Sequence, residues 1–193
     1  LSVLLLAWVR FKVPDFPGQI ASARMRILHV LMLPGLRSVL VVTLLFVLAH
    51  NLLYTYIAPW LASVQTSQRV DVVLLVFGAA ALMGIWLVGL RVDRWLRSLV
   101  LASIVGFGVS ALVLGVFGHI PAAMLVGVTV WGVAFGGTAT LFQTASARTA
   151  GASGDIAQSM LVTVWNLGIA GGGLLGAFLL QTWGAQAFAW LVV

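Results

Sequence analysis

Long apolar runs separated by short polar breaks make up most of the chain. Five of these runs reach roughly 19 or more residues, the length that a helix needs to cross a bilayer. Shorter apolar stretches at 1–9 and 187–193 each predict part of a further helix. The pattern therefore predicts an all-α, polytopic membrane protein, and its full spans are residues 38–61, 72–90, 99–117, 122–145 and 156–183.

Residues 10–37 interrupt this pattern with charge, proline and glycine. Within them, residues 19–33 mix apolar side chains with Arg24, Arg26 and His29, which predicts a short helix lying in the membrane interface. An ordered linker without a helix fits the same pattern. Because both terminal stretches stop inside apolar runs, we expect the chain to be a piece of a longer protein. It divides into the end of one helix at 1–9, a cytoplasmic connection at 10–37 and a membrane unit at 38–193.

The amino-acid composition also indicates a membrane protein. Of the 193 residues, 62% are hydrophobic and 7% are charged, whereas a soluble domain carries about 25% charged residues. The chain has no cysteine, which excludes disulfides and thiolate metal sites. Because its net charge of +6 comes from basic residues between apolar runs, that charge indicates retention at the cytoplasmic surface and not nucleic-acid binding.

The basic residues also set an orientation. If each predicted span crosses the membrane, Arg69 alone falls on one side. Segments rich in lysine and arginine stay in the cytoplasm, so the other side is predicted to be cytoplasmic. That side collects Arg10, Lys12, Arg24, Arg26, Arg37, Arg91, Arg94, Arg97 and Arg148.

Polar side chains inside the spans are candidates for a site, because polar groups are costly in hydrocarbon. His50, Asn51 and Tyr54 fall on one side of the first span, near its middle. We expect His50 to act as a neutral hydrogen-bonding group that lines a substrate cavity with Asn51 and Tyr54. Hydrogen bonding between helices without any ligand explains the cluster equally well. The fourth and fifth spans are expected to complete the cavity wall with Trp131, Phe135 and Asn166.

The fifth span also carries Gly168, Gly172 and Gly176 at a spacing of four. Glycines at this spacing form a smooth helix face that allows close approach of another helix. Both a sliding interface and static packing are consistent with the pattern.

Residue patterns typical of enzymes are absent from the sequence. No Asp, Glu, Lys or Arg lies near the centre of a predicted span. The sequence has no pair of carboxylates and no nucleophile with a base beside it. It also has no cluster of metal ligands and no phosphate-binding loop. We therefore expect neither enzyme activity nor a cofactor.

Three stretches resemble the major facilitator superfamily of transporters. Residues 89–97, Gly-Leu-Arg-Val-Asp-Arg-Trp-Leu-Arg, resemble the second-half copy of its cytoplasmic signature loop, G-x-L-x-D-R-x-G-R. They depart from it at Arg91, where leucine is usual, and at Leu96, where glycine is usual. Residues 53–59 are similar to the seventh helix of the drug:proton antiporter branch, among the arabinose and nucleoside efflux permeases. Residues 165–170 and the glycines after them are similar to the eleventh helix.

This resemblance implies the C-terminal half of a twelve-helix transporter, with helices seven to eleven complete and the ends of six and twelve partial. It implies alternating access in the bacterial inner membrane, where a small organic solute leaves as protons enter. The implied partners are the lipid bilayer, an N-terminal six-helix half, the solute and protons. An importer of sugars or metabolites, and a non-transporting module that packs through its glycine face, are the alternatives.

The loop that begins at Gly89 has a predicted gating role. Asp93 follows a helix end and is expected to accept hydrogen bonds from the N-terminus of the helix that begins near Asp155. Arg94 and Arg97 would then pair with Asp93, Asp155 or lipid phosphate. Charges that only set the topology are the alternative.

Overall fold

The computed structural model describes residues 2–14, 27–66 and 68–193. These residues form helices joined by short turns, with no β-strand among them, which confirms the all-α prediction. By length and hydropathy, three helical stretches are able to cross a membrane: Leu36–Thr55, Val70–Phe117 and Pro121–Thr182. The helices are α1 (Ser2–Lys12), α2 (Ile27–Leu31), α3 (Leu36–Thr55), α4 (Ile57–Ser63), α5 (Val70–Phe117), α6 (Pro121–Gly136), α7 (Thr138–Ala150), α8 (Gly154–Thr182) and α9 (Phe188–Val192).

The predicted interfacial helix is described only in its second half. There α2 covers Ile27–Leu31, while residues 19–26, with Arg24 and Arg26, lie outside the described residues. Residues 2–9 of the apolar stretch belong to α1, which runs on to Lys12 and is exposed along its whole length.

The 48 residues of α5 form two helices that fold back on each other. Trp95 breaks the helical geometry, with φ −127° and ψ 24°. In a straight helix Phe77 and Phe107 would lie about 45 Å apart. Instead, the ring centroid of Trp131 lies 4.8 Å from that of Phe77 and 6.1 Å from that of Phe107. We call residues 70–94 the first arm and residues 96–117 the second arm.

Two of the other predicted spans are interrupted. The first span is divided at Tyr56 into α3 and α4. Pro59 explains this break, because proline has no N–H to donate to the carbonyl four residues earlier and its ring clashes with that carbonyl. The fourth span is divided at Gly137 into α6 and α7, where two consecutive glycines weaken the helix. The fifth span forms the single helix α8.

Close crossings hold the helices together at two places. In the first, α8 lies on α3. A Cβ on Gly168 would lie 2.9 Å from Cβ of Val47, and one on Gly172 would lie 2.8 Å from the carbonyl oxygen of Leu48. The same face continues to Gly176, which lies against the ring of Tyr56, and the hydroxyl of that tyrosine donates a 2.7 Å hydrogen bond to the carbonyl of Gly173.

In the second crossing, α6 lies on the first arm. Gly136 contacts the backbone of Ala81, and Gly84 contacts the backbone carbonyl of Val133. Only the glycines of the first crossing were predicted to form a packing face, although Gly132 and Gly136 also stand at a spacing of four.

Helix ends gather at two poles of the molecule. Arg148, at the end of α7, contacts Asp93 near the bend of α5. The start of α3 lies at the same pole, because a Cβ on Gly35 would lie 3.4 Å from Thr149. We call this pole the basic end, since it carries Arg37, Arg91, Arg94, Arg97 and Arg148.

The other pole has a different composition. Gln186, after α8, donates a 2.9 Å hydrogen bond to the carbonyl of Ser63 at the end of α4. Arg69 lies here too, at the far end of the first arm, and forms a 2.7 Å ion pair with Asp71. Of the six arginines from Arg37 onward, five thus lie at the basic end and Arg69 at the other pole, a distribution that fits the positive-inside rule.

Candidate functional site

A buried hydrogen bond lies between α3 and α6. The indole Nε1 of Trp131 donates to Nδ1 of His50 over 3.1 Å. His50 is 5% exposed and Trp131 is 1% exposed. Because an indole N–H only donates, Nδ1 of His50 is the acceptor, and the imidazole is the neutral tautomer with its proton on Nε2.

Aromatic rings surround this hydrogen bond. Phe135 lies parallel to the imidazole, with ring centroids 3.5 Å apart, and Tyr54 stacks with centroids 5.3 Å apart. The arms of α5 add Phe77 and Phe107. We call this group the aromatic cluster: Phe46, His50, Tyr54, Phe77, Phe107, Trp131, Phe135 and Phe142. It joins α3, both arms of α5, α6 and α7 through one polar contact and many ring contacts.

The cluster reaches the surface at one edge. Tyr54 is 40% exposed, whereas its neighbours His50 and Trp131 are buried. A molecule that approaches this edge therefore meets the Tyr54 ring and its hydroxyl first.

The structure brings together four of the predicted cavity residues, His50, Tyr54, Trp131 and Phe135, and separates two from them. Asn51 lies one residue, or about 100°, round the helix from His50. Its amide donates to the carbonyl of Val47 over 2.9 Å, and its Cβ lies beside Gly172 of α8. Asn166 is exposed on α8 and donates to the carbonyl of Val162 over 2.8 Å.

Asn166 instead belongs to an exposed polar face. Ser159, Thr163 and Asn166 lie along one side of α8, and each donates to the backbone carbonyl four residues earlier. Gln158 joins α8 to α7 by donating to the carbonyl of Gln143 over 3.0 Å. We call this surface the polar face, and its exposed side chains are Thr140, Gln143, Ser159, Thr163 and Asn166. A polar stripe on an otherwise apolar helix is typical of contact with water or with another protein segment.

At the basic end, Asp93 pairs with Arg148. One guanidinium nitrogen lies 3.2 Å from the carboxylate and donates to the Asp93 backbone carbonyl over 3.1 Å. The partner is thus the arginine at the end of α7. The sequence predicts instead that Asp93 accepts hydrogen bonds from the N-terminus of the helix near Asp155, and that Arg94 and Arg97 pair with Asp93, Asp155 or lipid phosphate. The side chain of Asp93 is 89% exposed, so the pair contributes no more than about 1 kcal/mol to stability.

Two other residues predicted to act in gating are Asp155 and Gly89. Asp155 lies in the first turn of α8, where a carboxylate is favourable to the helix dipole. Gly89 lies on the first arm, and a Cβ added there would meet nothing within 4 Å. No close contact in this structure therefore requires glycine at the first position of the signature loop.

Sequence reasoning missed Phe46, Phe77, Phe107 and Phe142. A phenylalanine in an apolar run gives no signal of its own, and Phe77 and Phe107 both reach Trp131 only because α5 folds back. In the part of the chain that the structure describes, no three His, Asp or Glu side chains lie together as a metal site would need.

Comparison with known proteins assigns no family: the chain matches no family model and no curated protein significantly. Support for a function comes instead from the chain's own features, namely the aromatic cluster, the polar face and the ion pair at the basic end.

Proposed function

We propose that the chain is one half of a secondary transporter of the major facilitator type, containing its helices seven to eleven with parts of six and twelve. In this proposal the complete protein moves a small organic solute out of the cell in exchange for protons, by alternating access. The aromatic cluster forms part of the solute path, and the polar face meets the other half or the water-filled cavity between the halves.

The observation that carries the proposal is a repeated packing arrangement. The segments form two sets of three: α3–α4, the first arm and the second arm, then α6–α7, α8 and α9. The first member of each set packs on the second member of the other, since α3 lies on α8 and α6 lies on the first arm. Glycines make both crossings close. Repeats of this kind, inverted relative to each other, build many secondary transporters, including each half of a major facilitator protein.

The interrupted helices support the same function. They are α3–α4 and α6–α7, the first member of each set, and they meet at the His50–Trp131 hydrogen bond. In secondary transporters, interrupted segments at corresponding positions of two repeats mark the substrate site. An apolar pocket with a few placed polar groups also suits a small organic molecule. We therefore assign solute contact to the exposed edge of the aromatic cluster at Tyr54.

Proton coupling is assigned to the other half. The carboxylates of the described residues, Asp71, Asp93 and Asp155, lie near helix ends. His50 is already an acceptor for Trp131, which suits a hydrogen-bonding role better than proton transfer. The alternative of a module that binds a partner through Gly168, Gly172 and Gly176 has less support, because α3 already covers that face.

The decisive experiment measures flux through the complete protein, that is, the product of the reading frame containing residues 1–193. Proteoliposomes would be offered cationic dyes, sugars and nucleosides. An antiporter should accumulate its solute when the interior is acidic, and a protonophore should abolish that accumulation. An importer coupled to protons should instead require an alkaline interior.

The same assay includes a matched control. Residues 1–193 alone should give no flux, because the polar face would lack its partner. Absence of gradient-dependent flux from the complete protein, for every solute in the panel, would contradict the transporter proposal.

A second experiment concerns the ion pair at the basic end. Asp93→Asn should change the free energy of unfolding by less than about 1 kcal/mol, because the pair is exposed. It should nevertheless lower efflux by the complete protein, measured per molecule in the membrane, because one cytoplasmic contact between the first arm and α7 is lost. Exchanging the charges, with Asp93→Arg and Arg148→Asp, should recover part of the efflux.

The control for that experiment lies at the opposite pole. Asp71→Asn breaks the exposed pair with Arg69 and should leave efflux unchanged. Should Asp93→Asn also leave normalised efflux unchanged, Asp93 would be a marker of topology with no part in gating.

A further inference from the structure

An apolar groove runs between the two arms of α5 and the adjacent side of α6. It encloses a cavity of about 340 Å³, within the range of small-ligand sites. The groove lies away from the aromatic cluster, because Val133 of its wall and Trp131 of the cluster are two residues, or about 200°, apart on α6. Its lining residues include Gly84, Val88, Leu99, Ser103, Gly106 and Val133.

One polar group in this groove is the hydroxyl of Ser103. Ser103 is 8% exposed and lines the groove, and no hydrogen bond of its hydroxyl is seen within the described part of the chain, whereas Ser110 of the same arm donates to the carbonyl of Gly127. By contrast, Thr129, on the opposite wall, donates to the carbonyl of Leu125 over 2.8 Å. A hydroxyl that opens into an apolar groove gains a hydrogen bond when an occupant supplies an acceptor.

The mouth of the groove is basic. Gly84, Leu87 and Val88 line the first arm at positions i, i+3 and i+4, and the same face continues at i+7 to Arg91. Trp95, which is 59% exposed, lies at the bend above it. Among the described residues Arg91 takes part in neither of the two ion pairs, which join Asp93 to Arg148 and Asp71 to Arg69.

We propose that this groove binds one anionic phospholipid. Its phosphate contacts Arg91 at the basic end, one acyl chain lies between the arms and α6, and an ester carbonyl accepts the hydrogen bond of Ser103. Trp95 lies at the level of the headgroup, where tryptophan is favoured. The order of the groups matches the lipid, since a phosphate, ester carbonyls and an acyl chain follow one another along its length. This site rests on the membrane location given under the proposed function and not on transport.

The test uses native mass spectrometry of the full chain purified in detergent, titrated with phosphatidylglycerol or with phosphatidylcholine of the same acyl chains. The wild type should bind the first lipid more tightly. One basic side chain near a membrane surface favours an anionic lipid by about fivefold, so Arg91→Gln should lower the preference by about that factor. Arg91→Lys should retain it. Arg37→Gln removes one charge from the same pole away from the groove and should have no effect.

A second pair of variants tests the acyl-chain part of the site. Ala102 lines the groove and is exposed to it, so Ala102→Phe should fill the cavity and abolish tight binding without burying a new group in the core. Leu101→Phe, at a neighbouring exposed position outside the groove, should bind as the wild type does.

Equal binding of the two lipids would overturn the proposal, and so would an equal loss of preference in Arg91→Gln and Arg37→Gln. Either result would mean nonspecific contact with membrane lipid only. Because the measurement requires no transport, such a result leaves the transporter proposal standing. Failure of the flux assay likewise leaves the lipid site standing.

Discussion

Replacing Gly136 with alanine is expected to lower the free energy of unfolding by about 3 kcal/mol, the upper part of the usual range for overpacking. The new Cβ would meet the carbonyl group of Ala81 and lie 2.8 Å from its Cα. These are backbone atoms of the first arm, so no side chain can rotate away, and α6 would have to move. Reversible unfolding in mixed detergent and dodecyl sulfate micelles, followed by circular dichroism, measures the change.

Two further variants test whether the backbone contact at Ala81 causes the loss of stability. Gly78→Ala lies on the first arm, where a Cβ meets nothing within 4 Å, and should be neutral or stabilising by up to about 1 kcal/mol. Adding Ala81→Gly to Gly136→Ala should not restore stability, because the contact involves the carbonyl and not the methyl group. Equal stability of Gly136→Ala and Gly78→Ala would show that the crossing is looser than the structure indicates.

Hydropathy predicted the helices well, because every backbone group in hydrocarbon must be bonded internally and long apolar runs have no other choice. It also located the bend of α5, where Asp93 and three arginines interrupt the apolar sequence. The breaks at Tyr56 and Gly137 were not predicted, although Pro59 and the glycine pair were visible. Each break lies inside an apolar run, so the hydropathy pattern continues across it.

Which apolar side chains face the protein could not be predicted. Leu75 and Phe77 lie two residues apart in one apolar run, yet Leu75 is 72% exposed and Phe77 is 8% exposed. In water this difference would produce an amphipathic pattern, but lipid accepts an apolar side chain as readily as a protein core does. For the same reason the sequence did not predict the second glycine crossing, or that Phe77 and Phe107 both contact Trp131.

The sequence predicted which polar residues lie inside the spans, but not which neighbouring helix each side chain faces. His50 and Asn51 are adjacent, and the sequence placed both in one cavity. Adjacent residues on a helix differ by about 100° in direction. Asn51 therefore packs against the glycine face of α8, whereas His50 packs among the aromatic rings. Likewise, Arg148 was predicted to lie on the same side as the other basic residues. Its contact with Asp93 was not predicted, because that contact depends on how α7 packs on the first arm.

Two substitutions at His50 test the site most directly, because one removes its hydrogen bond and the other removes its ring stacking. His50→Phe keeps a ring between Phe135 and Tyr54 but leaves the buried indole N–H of Trp131 without an acceptor. The expected loss is about 1–2 kcal/mol of unfolding free energy, since an unpaired buried donor costs about 1–3 kcal/mol. In a cycle with Trp131→Phe, the two changes should couple by about 1 kcal/mol. Additive losses would mean that the His50–Trp131 hydrogen bond contributes nothing.

His50→Gln makes the opposite change, because its amide oxygen can still accept from Trp131 while the stacked ring is lost. In the complete protein we expect the substrate dissociation constant to rise several-fold, because Tyr54, to which solute contact is assigned, loses its stacking on the imidazole, a contact of about 0.5–1.5 kcal/mol. The number of protons moved per solute should stay the same, because a neutral imidazole that already accepts a hydrogen bond is not the coupling group. Proton flux measured beside solute flux tests this. If His50→Gln leaves binding intact and abolishes coupling, His50 is itself the proton carrier, and the coupling group does not lie in the other half.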